Sequence, residues 1–211
     1  DLYNNPQATA DVIVEAYNQG IRAINLINNS NLLEAYDLAA EQGCKMKVIA
    51  TIGKSDVDYL NPNYEVAKEV DWDEDIELFS SYDCPLMLVD EFIVDGYDWR
   101  LTSKILSEIN NTGALSGLVT AFPSRTTDLL LENMDMDLFD FYMIPLNSIS
   151  YMMDINAFNA SQRQEFVDRV LKLNKKLIAT RVLAAGVLQP KEAFTFLKNV
   201  EASDVKEIEV F

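Results

Sequence analysis

The chain has 211 residues, with 34 acidic and 17 basic side chains, a formal net charge of -17 and no histidine. That balance repels a phosphate backbone, and no Lys/Arg cluster stands ready to neutralise one, which excludes nucleic acid as a partner. The missing histidine excludes Ser-His-Asp and Cys-His nucleophilic sites, His-ligated zinc and imidazole acid–base chemistry from these residues.

Helix and strand signals alternate along the chain. Pro6 leads into a helix that Gly20 ends, and the apolar segment Ala23 to Asn28 follows as a strand. Asn31 is the expected cap of the helix LLEAYDLAAEQ, stopped by Gly43, before the strand Lys47 to Ile52. Residues 54–71 make the longest connection, an excursion over the strand ends. Asp71 to Ser81 then forms a short helix with acidic residues favourably placed in its first turn. Leu86 to Glu91 is a strand, FIVDGYD a loop, and WRLTSKILSEINN a helix closed by Gly113. The later strands are Leu115 to Thr120, Phe139 to Pro145, Leu177 to Arg181 and Val205 to Val210. Between them lie the helices TDLLLENM, SQRQEFVDRVLKLN and one with Pro190 in its first turn, where proline is tolerated.

Strict alternation at roughly 25 to 40 residues per unit argues for βα units and a parallel sheet. The expected fold is α/β, a parallel (β/α)₈ TIM barrel as one domain over residues 1–211. With seven strands and seven helices counted, starting from a helix, its first strand and last helix would fall outside these residues. An open doubly wound sheet is the competing architecture. It would want a Gly-rich turn after its first strand, and no G-x-G-x-x-G is present. No apolar run approaches the roughly 20 residues that span a bilayer, and the N-terminus has neither the basic nor the apolar region of a secretion signal. Cys44 and Cys84 lack metal-type spacing, so free thiols in a reducing, cytoplasmic compartment are expected.

In a parallel barrel the strand ends converge on one mouth, here bringing Asn28, Lys54, Asp90, Glu91, Thr120, Asn147 and Arg181 together. Lys54, Asp90 and Glu91 are the candidate catalytic residues. Asn28, Thr120, Asn147, Arg181 and Gly186 are the candidate ligand-binding residues, and the ligand is a small anionic molecule. A lysine at a strand end suits phosphate or carboxylate binding, proton transfer or a Schiff base, or is a plain loop lysine. Alternation aims only one of Asp90 and Glu91 inward, as general base, metal ligand or partner of a cation. Asp95 nearby would complete an oxygen site for magnesium, but no metal is assigned on three carboxyls in so acidic a chain. Arg181 interrupts an apolar strand, so it either pairs with Asp90 or Glu91 or receives a ligand's carboxylate or phosphate. Ala184-Ala185-Gly186 lets backbone approach a ligand, or is an ordinary turn. Tyr142, Tyr151, Met152 and Met153 would supply an apolar wall or simple packing.

The run DFYMIPLNSISYMM, then a helix, then LIATRVLAAGVLQPKEAFTFL, resembles the sixth and seventh units of the aldo-keto reductase superfamily. It is closer still to a divergent branch with a PLAAG-type turn followed by P-x-E-A-F, although Val182 stands where that branch has proline. LSGLVTAFPS resembles the fifth unit, with Ala121 near the branch's histidine. The resemblance implies a carbonyl reductase barrel using NADPH and an Asp-Tyr-Lys-His set. Only the lysine has a match, Lys54. Asn28 falls at the aspartate, NNSNLLEAY offers no tyrosine partner, and Asp90 or Glu91 falls at the histidine. Reductase chemistry needs a proton donor beside the carbonyl, so three readings follow: an enzyme acting on a small anionic metabolite without hydride transfer, a divergent reductase, or a non-catalytic binding barrel.

Overall fold

A computed structural model describes residues 4–55, 57–58, 61–155, 160–203 and 208–210, with backbone alone for residues 160, 201–203 and 208–210. Seven strands form one sheet: β1 (Ala23–Leu26), β2 (Lys47–Ile52), β3 (Leu86–Val89), β4 (Leu115–Val119), β5 (Phe141–Pro145), β6 (Lys176–Thr180) and β7 (Ile208–Val210). Their spatial order is the chain order, and every neighbouring pair is parallel. Each connection carries helix, as a parallel sheet requires. The helices are α1 (Pro6–Asn18), α2 (Ser30–Glu41), α3 (Tyr64–Ala67), α4 (Trp72–Ser80), α5 (Glu91–Val94), α6 (Trp99–Asn111), α7 (Pro123–Asn133), α8 (Ala160–Leu171) and α9 (Pro190–Ser203). None is long and apolar enough to cross a membrane among the described residues.

Two layers of core explain why the strands are near-continuous apolar runs. Val48, Ala50 and Ile52 of β2, Met87 and Val89 of β3, and Tyr142 and Ile144 of β5 pack outward in one cluster with the helices. Their alternates, Ile49, Leu86, Leu88, Val119, Phe141, Met143 and Ile178, form a second cluster on the other face. Ile49 on β2 and Ile178 on β6 share that cluster although three strands separate theirs, so the sheet curls around it. Burial of each such side chain contributes about 1.5–3 kcal/mol before ordering costs. Gly117 faces the same interior. A Cβ there would come within 2.5 Å of a Leu88 methyl and 2.7 Å of the Phe141 carbonyl, so only glycine lets β4 approach β5.

The structure moves several expected boundaries. The α2 cap is Asn29, whose side chain accepts from the Leu32 backbone N–H at 3.1 Å; Asn31 lies inside the helix. The third strand ends at Val89, and the expected loop after it begins with the short helix α5, capped by Asp90. Helix α3 interrupts the long connection after β2, and α7 starts four residues before the expected TDLLLENM, at Pro123. Arg181 lies one residue past β6 rather than within it. Residues 205–207 of the last expected strand lie outside the described residues.

Candidate functional site

The turn after β2 sets the first part of the mouth. Gly53 has φ +79, and a Cβ there would collide with Ile93, so the turn requires glycine. Its N–H donates to Oδ2 of Asp75 on α4 at 2.8 Å, and Nδ2 of Asn28 donates to the other oxygen at 2.8 Å. Asp75 is buried on the α4 face that also buries Ile76 and Phe79. Asn28 is thereby a structural tie between β1 and α4.

Lys54 places Nζ 3.6 Å from Oδ2 of Asp90 and 5.0 Å from the Phe92 ring centroid. Asp90 also accepts from the Phe92 N–H at 3.0 Å, capping α5. Burial raises the Asp90 pKa to about 6, against the lowering effect of Lys54. Glu91 meets Arg181 across the mouth, from the end of β3 to the end of β6. Nη2 of Arg181 lies 2.8 and 2.7 Å from the two Glu91 oxygens. Both expected carboxylates therefore hold a cation, and the alternation that aimed one away from the mouth is undone by the turn into α5.

Asp95 ends α5, one helical turn beyond Glu91. Its Oδ1 accepts from the hydroxyls of Thr120 and Thr126, and its Oδ2 accepts from the Ala121 N–H at 2.8 Å. Burial raises its pKa to about 7; these three donors pull the other way and do not prevail. A cavity of about 220 Å³ opens beside it, lined by Pro62, Tyr64, Glu91, Phe92, Asp95, Ala121, Phe122, Met152 and Met153. Its walls are mainly apolar, with Glu91 and Asp95 as the carboxyl groups. Lys54 and Arg181 are not in the lining; they stand one shell back, through Asp90 and Glu91. Met152 and Met153 are part of the wall, whereas Tyr142 is fully buried on the outward face of β5 and Tyr151 packs with Val182 against Ala184.

Thr120 is fully buried and acts through Asp95. Asn147 organises the loop after β5: its Oδ1 accepts from the Tyr151 N–H at 2.8 Å, and its Nδ2 donates to the carbonyls of Tyr151 and Arg181. Gly186, with φ +84, is exposed in a 3-10 turn over Ala184–Gly186 and does not line the cavity. Among the described residues no group of three or more Cys, Asp or Glu side chains could hold a metal ion. Cys44 and Cys84 are free thiols.

Three acidic residues gain importance. Asp95 lies four residues after Glu91 around the apolar FIV, a spacing that gains meaning only with the helix α5, since the sequence reads FIVDGYD as a loop. Asp75 is legible from Trp72, Asp75, Ile76 and Phe79, which recur at helical spacing. Asp154 accepts the Ser124 and Arg125 N–H groups at 2.8 Å each, tying the loop after β5 to the start of α7, and its sequence context gives no signal of that.

No family model matches the sequence, and no curated protein matches it. Solved structures share its fold. A Pseudomonas aeruginosa protein described as an aldo-keto reductase matches at TM-score 0.62 and 15% identity, over 98% of this chain and 77% of that one. A fungal beta-1,4-galactanase matches at TM-score 0.61 and 11% identity, over 95% and 79%. An aldo/keto reductase from Brucella melitensis matches at TM-score 0.52 and 14% identity, over 98% and 79%. At these identities the likeness is one of fold, a TIM-type barrel of the kind that carries aldo-keto reductases and glycosidases alike.

Proposed function

We propose that this chain is a divergent aldo-keto-reductase-like barrel of the (β/α)₈ type that binds and transforms a small anionic metabolite at the C-terminal mouth. The observation that carries the reading is Asp95, a buried carboxyl with a pKa of about 7 on the wall of a cavity. A group that gives and takes a proton near neutrality suits general acid–base catalysis, worth about 10²–10⁴-fold in rate. Tyr64, Phe92, Phe122 and the two methionines suit the apolar body of a ligand. The cavity is below the range of about 300–1,000 Å³ typical of drug-sized ligands, which favours a small one. Asp90 and Lys54 are proposed to support the floor of the site, and Thr120 and Thr126 to hold Asp95. The free thiols are consistent with a reducing, cytoplasmic setting, and the net charge of -17 with neither nucleic acid nor an anionic membrane as partner.

A divergent NADPH-dependent reductase is the second reading, favoured by the fold alone. Asn28 at the resembling aspartate position is committed to Asp75, and the chain has no histidine. The expected outcome is no carbonyl reduction with NADPH at reductase-like rates. The deciding experiment soaks the protein with small carboxylates and phosphates, then follows binding by calorimetry and turnover by NMR for wild type and Asp95→Asn. Turnover that depends on Asp95 and changes through pH of about 7 supports the reading. Binding without turnover makes the chain a binding barrel, and robust aldehyde reduction with NADPH replaces the reading with the second one.

A further inference from the structure

Among the described residues, buried polar atoms that lack a partner occur at Ser55 after β2 and, in greater number, in the loops after β5 and β6. Ser148 Oγ, Ser150 Oγ and Arg181 Nη1 are buried without a hydrogen-bond partner, and all three belong to the loops after β5 and β6. Those loops touch, because Nδ2 of Asn147 donates to the Arg181 carbonyl at 3.3 Å. The same loops concentrate left-handed backbone at residues other than glycine: Ser150, Met152, Arg181, Ala184 and Ala185 have φ between 48 and 57. Unpaired buried donors and sparsely populated backbone are each costly, and together they mark a segment arranged for something other than its own stability.

We infer that these two loops are a carboxylate clamp, in which Ser148, Ser150 and Nη1 of Arg181 rearrange to receive the carboxylate of a small acid with an apolar body. The inference rests on the cavity being the ligand site, since Met152 and Met153 of the first loop form its wall and Glu91 joins it to Arg181. Three donors call for more lone pairs than one carbonyl oxygen has, and a carboxylate offers about four acceptor sites. Charge decides between acids. Glu91 already neutralises Arg181, so a monoanion leaves one uncompensated charge and a phosphate dianion leaves two. The body of the acid then lies against Phe92, Phe122 and Met153.

Calorimetry on the full chain tests this with four probes: phenylacetate, acetate, benzyl alcohol and phenyl phosphate. Wild type is expected to bind phenylacetate more tightly than acetate or phenyl phosphate. Ser148→Ala/Ser150→Ala is expected to melt no lower than wild type, because hydroxyls without partners add nothing to the unliganded fold. It should lose about tenfold in phenylacetate affinity, the scale of a charge-assisted hydrogen bond, and keep its benzyl alcohol affinity. Met153→Trp should block phenylacetate and benzyl alcohol together. Unchanged phenylacetate binding in the double serine variant overturns the clamp and leaves the cavity reading standing. A markedly lower melting temperature in that variant, or tighter binding of phenyl phosphate, also overturns it. If neither phenylacetate nor benzyl alcohol binds wild type, the clamp and the cavity reading fall together.

Discussion

The loops after β2 and β3 and the loops after β5 and β6 frame one mouth but hold their polar groups in opposite ways. On the first side Asp75 receives Asn28 and Gly53, Asp90 receives Phe92 and Lys54, and Asp95 receives Thr120, Ala121 and Thr126. Ser55 is the exception, buried with an unpaired hydroxyl. On the second side three donors lack partners and five non-glycine residues sit at positive φ. Saturated polar networks rigidify a fold, whereas unsatisfied groups keep free energy in reserve for a ligand. The Glu91–Arg181 pair joins the two sides.

Breaking that pair should have the largest effect. The side chains are 6% and 18% exposed, so Arg181→Ala strands a buried carboxylate. Loss of one partner from a buried pair costs about 3–5 kcal/mol. Lys54→Ala is the contrast: its contact with Asp90 is 3.6 Å long, and Asp90, though buried, has a pKa of about 6 and can take up a proton once the cation is gone, so a smaller loss is expected. Denaturant unfolding of both variants compares them. Equal losses would mean that the two sides of the mouth are held alike.

The saturated side should also reveal itself through pH. Asp95 has a folded pKa of about 7 against an ordinary 3.8, so the folded state binds its proton more tightly than the unfolded chain does. Its contribution to stability is therefore full below about pH 4, declines as pH rises through about 7, and is flat above. Asp90, raised to about 6, acts in the same direction. The Asp95 part amounts to at most about 4 kcal/mol between those limits. Self-repulsion from the net charge of -17 also weakens the fold as pH rises, so wild type alone does not isolate the effect. Asp95→Asn does. Its melting temperature should change less than that of wild type between pH 5 and pH 8, and parallel curves would show that Asp95 titrates normally.

Much of this was legible in the sequence because a strand buried on both faces leaves a continuous apolar run. MKVIATI, LMLV, FYMIP and LIAT announced β2, β3, β5 and β6, and alternation with helices announced their parallel order. Lys54 with Asp90, and Glu91 with Arg181, are pairs between residues that the sequence places at strand ends. Partner choice did not follow from that placement. Whether Arg181 met a ligand or a carboxylate depended on the turn at Asp90, which starts α5 and swings Glu91 across the mouth. Nor could spacing tell that Asp95 rather than Asp90 would line the cavity, since that depends on how Thr120 and Thr126 approach from a different unit. The unpaired serines were hidden for a similar reason: an absent partner is a property of packing.

The smallest expected effect sharpens the contrast most, because it applies one kind of change to both sides. Ala185 is exposed at φ 54 and ψ 32. Left-handed backbone costs a residue with a Cβ roughly 1–2 kcal/mol, and glycine removes that cost while giving the unfolded chain about 0.4–1 kcal/mol of extra entropy. Relief should exceed entropy, so Ala185→Gly is expected to stabilise the protein by about 0.5 kcal/mol. Tyr97 has φ 57 on the saturated side, with the same backbone cost. Its hydroxyl accepts from Arg125 Nε at 2.8 Å, and its ring lies 5.5 Å from that of Trp99 and 5.4 Å from the Arg125 guanidinium. A glycine there relieves the same strain but deletes those contacts, the aromatic pair alone being worth about 0.5–1.5 kcal/mol beyond its buried area. Tyr97→Gly should therefore lower the melting temperature while Ala185→Gly raises it. Opposite signs from one backbone change would locate the uncompensated strain in the loop after β6. Matching signs would mean that both sides of the mouth support their left-handed residues equally.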